Sequence, residues 1–410
     1  MNPPPEYHLS YESLYLHIPF CKQRCAYCDF ATRAVQPDDP VLDEYLTALS
    51  SEIKQAAERG DLAHIKTVYL GGGTPTYLGH ERLVELGGLL ADSLSLEQVE
   101  EFTLEANPES LTPAMMRDLS ALGVNRLSLG VQSFLDPELA TLGRIHDAAR
   151  AVQAVKEARE CFDNISLDLI CGIPGQTTTT WCYSLEQALR LEPEHLSIYP
   201  LQLEEGTPLA RRVQEWADKP VMPEERSAKP VLPVERANQP VLPEERTDKP
   251  LLPVPDEDEQ AEFMEQAARI LEAQGYHRYE VASYAKPGRE SRHNTSYWTG
   301  LSYLGLGTGA ASMRNKPDGS RERWLQGEKP EILSAREAAA EDLFLAMRLS
   351  RGISAEQLRE ASSLLPQAPE VFNKLQELGL VAQSSNRYLP TEKGWLLGNE
   401  IYTRIWALAS

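Results

Sequence analysis

No stretch of this chain stays apolar for the roughly 20 residues needed to span a bilayer. It also lacks an excess of positive charge: 40 Lys and Arg stand against 61 Asp and Glu, a formal net charge of −21 at pH 7. Proteins that coat nucleic acid or anionic membrane need clustered cations, so neither role fits and no nucleic-acid partner is expected. Met1 to Ser10 show no basic n-region and no apolar run, so no secretory signal is read there. The expectation is a cytoplasmic protein in a reducing compartment. Its six cysteines would then be ligands or small buried hydrophobes rather than disulfides. What is present is an ordinary globular composition: 410 residues, 42% hydrophobic and 25% charged, enough for two or three cores.

From Ser13 to about Leu203, short β-branched runs alternate with longer amphipathic ones. Strands are expected at Leu14–Ile18, Thr67–Leu70, Glu101–Glu105, Arg126–Leu129, Ile165–Ile170 and Leu196–Leu201. Helices are expected between them at Asp43–Glu58, Glu81–Ser93, Pro113–Leu122, Ala148–Arg159 and Thr179–Arg190. Parallel strands need long crossovers, so the repetition predicts an α/β fold over residues 1–218. Its form is an open parallel (β/α)6 barrel with the site at the C-terminal strand ends.

Residues 219–258 break this pattern with four copies of a ten-residue unit, KPVMPEERSA, KPVLPVERAN, QPVLPEERTD and KPLLPVPDED. The recurring prolines forbid helix and central strand alike. The segment reads as a polyproline-like or disordered insertion, and as a tolerated surface loop ahead of a partner-binding one. Helical periodicity resumes at Gln260–Gln274, within a barrel-closing region over residues 259–334. Residues 335–410 read as a separate C-terminal helical domain: three helices, then two short strands in GLVAQSSNRYLPTEKG, an order like a winged helix. Without a basic stripe, packing or a lid is the expected role there rather than DNA binding.

The run LYLHIPFCKQRCAYCDF carries Cys21-x3-Cys25-x2-Cys28. Three thiolates on one short loop can hold three corners of a cubic iron–sulfur cluster, leaving the fourth iron open to a small molecule. A structural zinc site wants four ligands, often as two pairs, and no second pair exists here. Cys161, Cys171 and Cys182 sit in contexts that read as core. The Cys-x3-Cys-x2-Cys loop after the first strand resembles the radical SAM superfamily. That resemblance implies a [4Fe–4S] cluster whose open iron is chelated by S-adenosylmethionine (SAM). In that superfamily the reduced cluster splits the sulfonium bond to give a 5′-deoxyadenosyl radical.

Other motifs fall where such a site needs them. Gly71-Gly72-Gly73-Thr74-Pro75 follows the second strand, and glycines at a strand end let backbone approach a ligand. The GGGTP run resembles the superfamily's contact to the methionyl amine, which implicates Gly72, Gly73 and Thr74. Glu105 ends the third strand, Gln132 follows the fourth, Arg144 starts the next helical stretch and Asp168 lies on the fifth strand. Each alone would pass for a structural hydrogen bonder. Their placement at successive strand ends resembles the SAM site of oxygen-independent coproporphyrinogen III oxidase and its relatives. By that resemblance Tyr15, two residues before His17, and Tyr27 also surround the cofactor.

Two features separate the branches of that family. The oxidases carry a fourth cysteine where this chain has Phe30. Arg292-His293-Asn294-Thr295-Ser296-Tyr297-Trp298 matches the HNxxYW motif of the HemW-like haem chaperone branch. A neutral imidazole can ligate haem iron, and Tyr and Trp offer flat faces to a porphyrin. His293, Asn294, Tyr297 and Trp298 are therefore the expected haem contacts, with Arg278, Arg292 or Arg314 as candidates for the propionates. The alternative is that His293 and Trp298 close the barrel mouth. Gly305-Leu306-Gly307-Thr308-Gly309 fails as a dinucleotide fingerprint and is expected to be a loop against the barrel. The resemblance implies a protein that carries haem to apo-proteins, membrane-associated respiratory proteins among them, with a homodimer left open. The alternative is an enzyme that decarboxylates coproporphyrinogen III to protoporphyrinogen IX.

Overall fold

The computed structural model describes residues 11–217 and 253–409. Strands β1 (Ser13–Ile18), β2 (Thr67–Gly72), β3 (Glu101–Ala106), β4 (Arg126–Gln132), β5 (Ile165–Cys171) and β6 (His195–Pro200) lie in that order, every neighbouring pair parallel. Crossovers are made by helices α1 (Val41–Glu58), α2 (His80–Ser93), α3 (Pro113–Ala121), α4 (Ala148–Arg159) and α5 (Thr178–Arg190). Thr112, Asp147 and Thr177 cap α3, α4 and α5 through their side chains, fixing where each crossover begins. β2, β3 and β4 run past their expected ends to Gly72, Ala106 and Gln132; Gly72 and Gln132 line a cavity there, while Ala106 packs in the apolar cluster.

The barrel strands alternate between two faces, with Ile170 of β5 an apolar exception on the cavity side. Leu14, Leu16, Ile18, Val68, Leu70, Leu127 and Leu129 are buried in one apolar cluster with Leu46, Leu86 and Leu185 of the surrounding helices. Each such side chain contributes about 1.5–3 kcal/mol by leaving water. The opposite face is polar. Tyr69 donates to Glu105 at 2.6 Å, Ser128 to Asp168 at 3.4 Å, and Ser166 pairs with His195 at 2.8 Å. The lumen is thus a hydrogen-bonded interior rather than a hydrophobic one.

Six more strands extend this sheet: β7 (His277–Arg278), β8 (Ser283–Ala285), β9 (Tyr303–Leu306), β10 (Ala311–Asn315), β11 (Arg321–Leu325) and β12 (Glu331–Leu333). The order is β12-β11-β10-β9-β1-β2-β3-β4-β5-β6-β8-β7. Because β9 pairs parallel with β1, it acts as a further barrel strand. The expected loop at Gly305–Gly309 is therefore partly strand: Gly305 and Leu306 belong to β9, and Gly307, Thr308 and Gly309 form the turn, with both glycines at positive φ. At the other edge β8 pairs antiparallel with β6 and leaves the barrel open.

Helix α6 (Glu257–Ala273) starts earlier than its apolar period indicates. Asp256 and Glu259 form a reciprocal capping box, and the Pro253 carbonyl accepts from Gly175 N at 2.8 Å. The end of the proline-rich segment thus docks on the barrel, while its residues 219–252 lie outside the described residues. Helix α7 (Arg292–Trp298) follows, and α8 (Ala335–Ala346) leads into a second core built on Leu343, Phe372, Leu375 and Ile401. Around that core pack α9 (Ala355–Ala361), α10 (Ala368–Glu377) and α11 (Gly398–Trp406). A small sheet of β13 (Ile353–Ser354), β14 (Val381–Ser384) and β15 (Arg387–Pro390), ordered β13-β15-β14, completes the winged-helix-like unit. Arg321 on β11, 2% exposed, binds both Glu341 and Asp342 of α8 and ties that unit to the sheet.

Candidate functional site

The loop after β1 is fixed by backbone bonds at both ends. Thr74 N donates to Phe20 O at 2.8 Å, Val35 N to Cys21 O at 3.2 Å, and Ala26 N to Leu142 O at 2.9 Å. Cys21, Cys25 and Cys28 are half-buried and free of disulfides. Thr74 donates to Cys21 Sγ at 3.5 Å and Arg144 Nη1 to Cys25 Sγ at 3.3 Å. Burial, with Cys25 and Cys28 beside it, pushes the Cys21 thiol up, while the Thr74 hydroxyl pulls it down. Iron binding overcomes such a shift by displacing the proton. Among the described residues no three His, Cys, Asp or Glu side chains converge as a single-ion site requires. Cysteines of a cubic cluster each meet a different iron and stand apart by its width, so three soft thiols around one space fit that group.

That space is a cavity of about 550 Å³ at the C-terminal ends of the barrel strands. The three cysteines line it together with Tyr27, Gly72, Gly73, Thr74, Glu105, Gln132, Arg144 and Asp168. Gly73 is irreplaceable here: a Cβ would stand 2.7 Å from Phe20 O and 2.9 Å from Cys21 Sγ. Gln132 sits at φ 69 where β4 slips register against β5, a strained setting that turns it into the cavity. Burial pushes Glu105 up to about 7 against the opposing bonds from Tyr69 and Gly72 N, with Asp168 nearby adding to the rise. Asp168 is raised by burial too, held back by Ser197 and Arg126.

Sequence reasoning missed the scaffold behind these groups. Asn107 accepts from Arg144 Nη2 at 2.7 Å and donates to Thr74 Oγ1 at 3.0 Å, joining the third strand to the GGGTP turn. His146 bridges Glu109 at 3.2 Å and the Val131 carbonyl at 3.1 Å just beneath Gln132. The signal for Asn107 was present two residues after Glu105 in LEANPES. Nothing in the sequence marked His146.

Tyr15 is not in this cavity. It lines a second one of about 590 Å³, with His17, Tyr297, Trp298, Tyr303 and Arg323. The two chambers share Phe30, Gly72 and Glu105 and so adjoin. The HNxxYW helix, α7, is docked at the opposite end of the barrel by Glu101, which accepts from Ser291 Oγ and from Arg292 N and His293 N at 2.8 and 3.0 Å. His293 is 1% exposed. Its Nδ1 pairs with Thr67 at 2.9 Å, its Nε2 with Tyr297 at 2.8 Å, and its ring stacks on Tyr69. Burial, with Arg126 nearby, holds it down to about 3, so the ring is neutral. It closes the bottom of the barrel, and with both nitrogens engaged it offers no iron ligand in this conformation. Asn294 lines neither chamber. The three arginines named for propionates are elsewhere as well. Arg292 pairs with Glu100, Arg278 lies over Trp395, and Arg314 pairs with Glu322.

Residues 15–187 match the model of the radical SAM superfamily, and residues 333–397 that of the HemN C-terminal domain. Coproporphyrinogen III oxidase (HemN) from Escherichia coli shares the fold, with a TM-score of 0.73 at 22% identity over 98% of this chain and 91% of that one. These define the class as a radical SAM barrel carrying a HemN-type C-terminal domain. The chain is 34% identical over 407 residues to the heme chaperone HemW of Bacillus subtilis, covering 95% of this chain and 98% of that protein. The HemW of Lactococcus lactis is 32% identical over 405 residues, covering 96% of each. The HemW of Escherichia coli is 34% identical over 308 residues, 75% of this chain and 71% of that one. The chain belongs to the HemW family.

Proposed function

We propose that this protein binds a [4Fe–4S] cluster through Cys21, Cys25 and Cys28, binds SAM at the open iron, and carries haem to apo-proteins. The observation behind this reading is the pair of adjoining chambers. One gathers the cysteines with Glu105, Gln132, Arg144 and Asp168, and the other gathers the aromatic end of the HNxxYW motif. Bound there and reduced, a [4Fe–4S] cluster would supply an electron for reductive cleavage of SAM. In the first chamber Glu105 and Asp168 can accept from ribose hydroxyls, Arg144 can pair with the methionyl carboxylate, and the Gly72–Thr74 backbone can meet the amine. Tyr297 and Trp298 give the second chamber flat apolar walls suited to a porphyrin.

The test is a haem titration of anaerobically reconstituted protein followed by the Soret band, then transfer from the loaded protein to an apo-protein such as apomyoglobin. Saturable one-to-one binding with onward transfer supports carriage. Absence of stoichiometric binding overturns it and favours conversion of coproporphyrinogen III, which anaerobic product analysis would then detect. Among the described residues no helix is long and apolar enough to cross a membrane.

A further inference from the structure

Beneath the first chamber the barrel lumen holds a cation that the site described above leaves unused. Arg126 opens β4 and is 1% exposed, among the largest fully buried side chains of the protein. It shares the parity of Ser128 and Gly130, which line the cavity, so it belongs to the lumenal face of the strand. Its buried Nε has no hydrogen-bond partner, and among the described residues it enters no ion pair. A guanidinium cannot shed its proton, so burying one without a carboxylate in contact is costly. The compensation has to come from charges further off.

The strand register puts those charges one layer up. Arg126 lies opposite Thr103 on β3, and Glu105, two residues on, lies opposite Ser128. Ser128 in turn donates to Asp168 on β5. Alternate residues of a strand are about 7 Å apart, within reach of an arginine side chain. Arg126 thus stands one lumenal layer below the two cavity carboxylates, on the side away from the cysteines.

The other groups around that pair supply little positive charge. Arg144 is committed to Cys25 Sγ, Asn107 and the Gly130 carbonyl. Glu101, lower in the lumen, is taken up by Ser291 Oγ, Arg292 N and His293 N. Tyr15, Tyr27, Tyr69, Tyr199 and Tyr297 face the pair from β1, the cysteine loop, β2, β6 and α7. Loss of water pushes each of them up, so all are neutral. Desolvation holds His17, His195 and His293 down, so these are neutral too. Two carboxylates in one desolvated space repel, and without a cation nearby one of them takes up a proton.

We propose that Arg126 is a positioning residue for SAM, whose buried charge holds Glu105 and Asp168 as a pair of ionised acceptors for the ribose hydroxyls. The proposal rests on the SAM-binding reading and extends it to a residue outside the cavity wall. Acting from a distance has a use here. A direct ion pair would occupy the carboxylate oxygens, whereas a cation one layer below leaves them free for the ligand.

The experiment is SAM affinity against pH, across the neutral and mildly alkaline range, for the anaerobically reconstituted full-length protein. Wild type is compared with Arg126→Met, Arg126→Gln, Arg126→Lys and Glu105→Gln, and with Arg126→Met and Glu105→Gln combined. Cluster absorbance and circular dichroism confirm that each variant is assembled, and the titration of SAM itself is common to all. Both neutral variants should move the rise in affinity to higher pH by about one unit or more, the effect of losing a nearby opposite charge. Arg126→Lys, which keeps the charge, should restore most of the wild-type profile. In the Glu105→Gln background, Arg126→Met should lose most of its effect. Profiles equal to wild type in the neutral variants overturn the assignment while SAM binding stands. So does a uniform loss of affinity at every pH that lysine does not rescue, the mark of a merely structural role. If wild type binds no SAM, the SAM-binding reading itself falls, and this inference with it.

Discussion

Replacing His293 with alanine should cost the barrel about 3 to 5 kcal/mol, the range for removing a large buried side chain. The structure says where the cost arises. Two hydrogen bonds, 2.9 Å to Thr67 and 2.8 Å to Tyr297, are worth about 0.5–1.5 kcal/mol each. The stack on Tyr69, with centroids 5.0 Å apart, adds about 0.5–1.5 kcal/mol. Thr67 keeps Ser13 at 3.0 Å, but the Tyr297 hydroxyl is left without a protein acceptor, a penalty of about 1–3 kcal/mol. The ring is held down to about 3, below its ordinary 6.5. Between those values the unfolded chain binds the proton and the folded one does not. The contribution of His293 is therefore full above pH 6.5 and shrinks as pH falls toward 3. Urea midpoints of wild type and His293→Ala should differ most at pH 7 to 8 and converge on acidification, while the folded variant shows the wild-type Soret band with haem. A variant of unchanged midpoint that loses the Soret band would refute the reasoning and return the iron to His293.

Three further outcomes can be checked directly. Gly73→Ala should remove the broad visible absorbance of the reconstituted cluster while leaving far-ultraviolet circular dichroism intact, since its Cβ would collide with Phe20 O and Cys21 Sγ. SAM affinity should rise as pH increases through about 7, because only the ionised Glu105 is a full acceptor for ribose, and Glu105→Gln should flatten that profile. A pH-independent affinity in wild type would exclude Glu105 as a contact. Arg321→Met should destabilise the junction between sheet and C-terminal unit by about 3–5 kcal/mol, because buried Glu341 loses one of its two arginines and Asp342 its partner. Calorimetry should then show the C-terminal unit unfolding at lower temperature than in wild type.

Much of the barrel was legible because its strands are periodic: LYLHI, FTLEA and ISLDL alternate between two faces, and longer amphipathic runs lie between them. The first chamber was legible for the same reason, since a residue at a strand's C-terminal end must face the cavity. Three things resisted. Gly305 and Leu306 read as loop because a glycine-rich run has no period, yet pairing with β1 makes them strand. His293 read as a ligand because its motif contains the right groups. Whether an imidazole is free depends on Thr67, a residue 226 positions away in the chain. Arg323 was passed over because an arginine in a short strand carries no mark of the cavity beside it.

The parity of the barrel strands separates two kinds of constraint. Residues of one parity, such as Leu14, Leu16 and Leu129, hold sheet to helices and never meet the cavity. Residues of the other parity, such as Glu105, Ser128 and Asp168, meet the cavity and bury little apolar surface. Substitutions in the second set redraw what the chamber recognises at the cost of the hydrogen bonds they break, such as Tyr69 to Glu105, and leave the apolar packing of sheet on helices in place. A wall built this way can drift in chemistry while its architecture stays put.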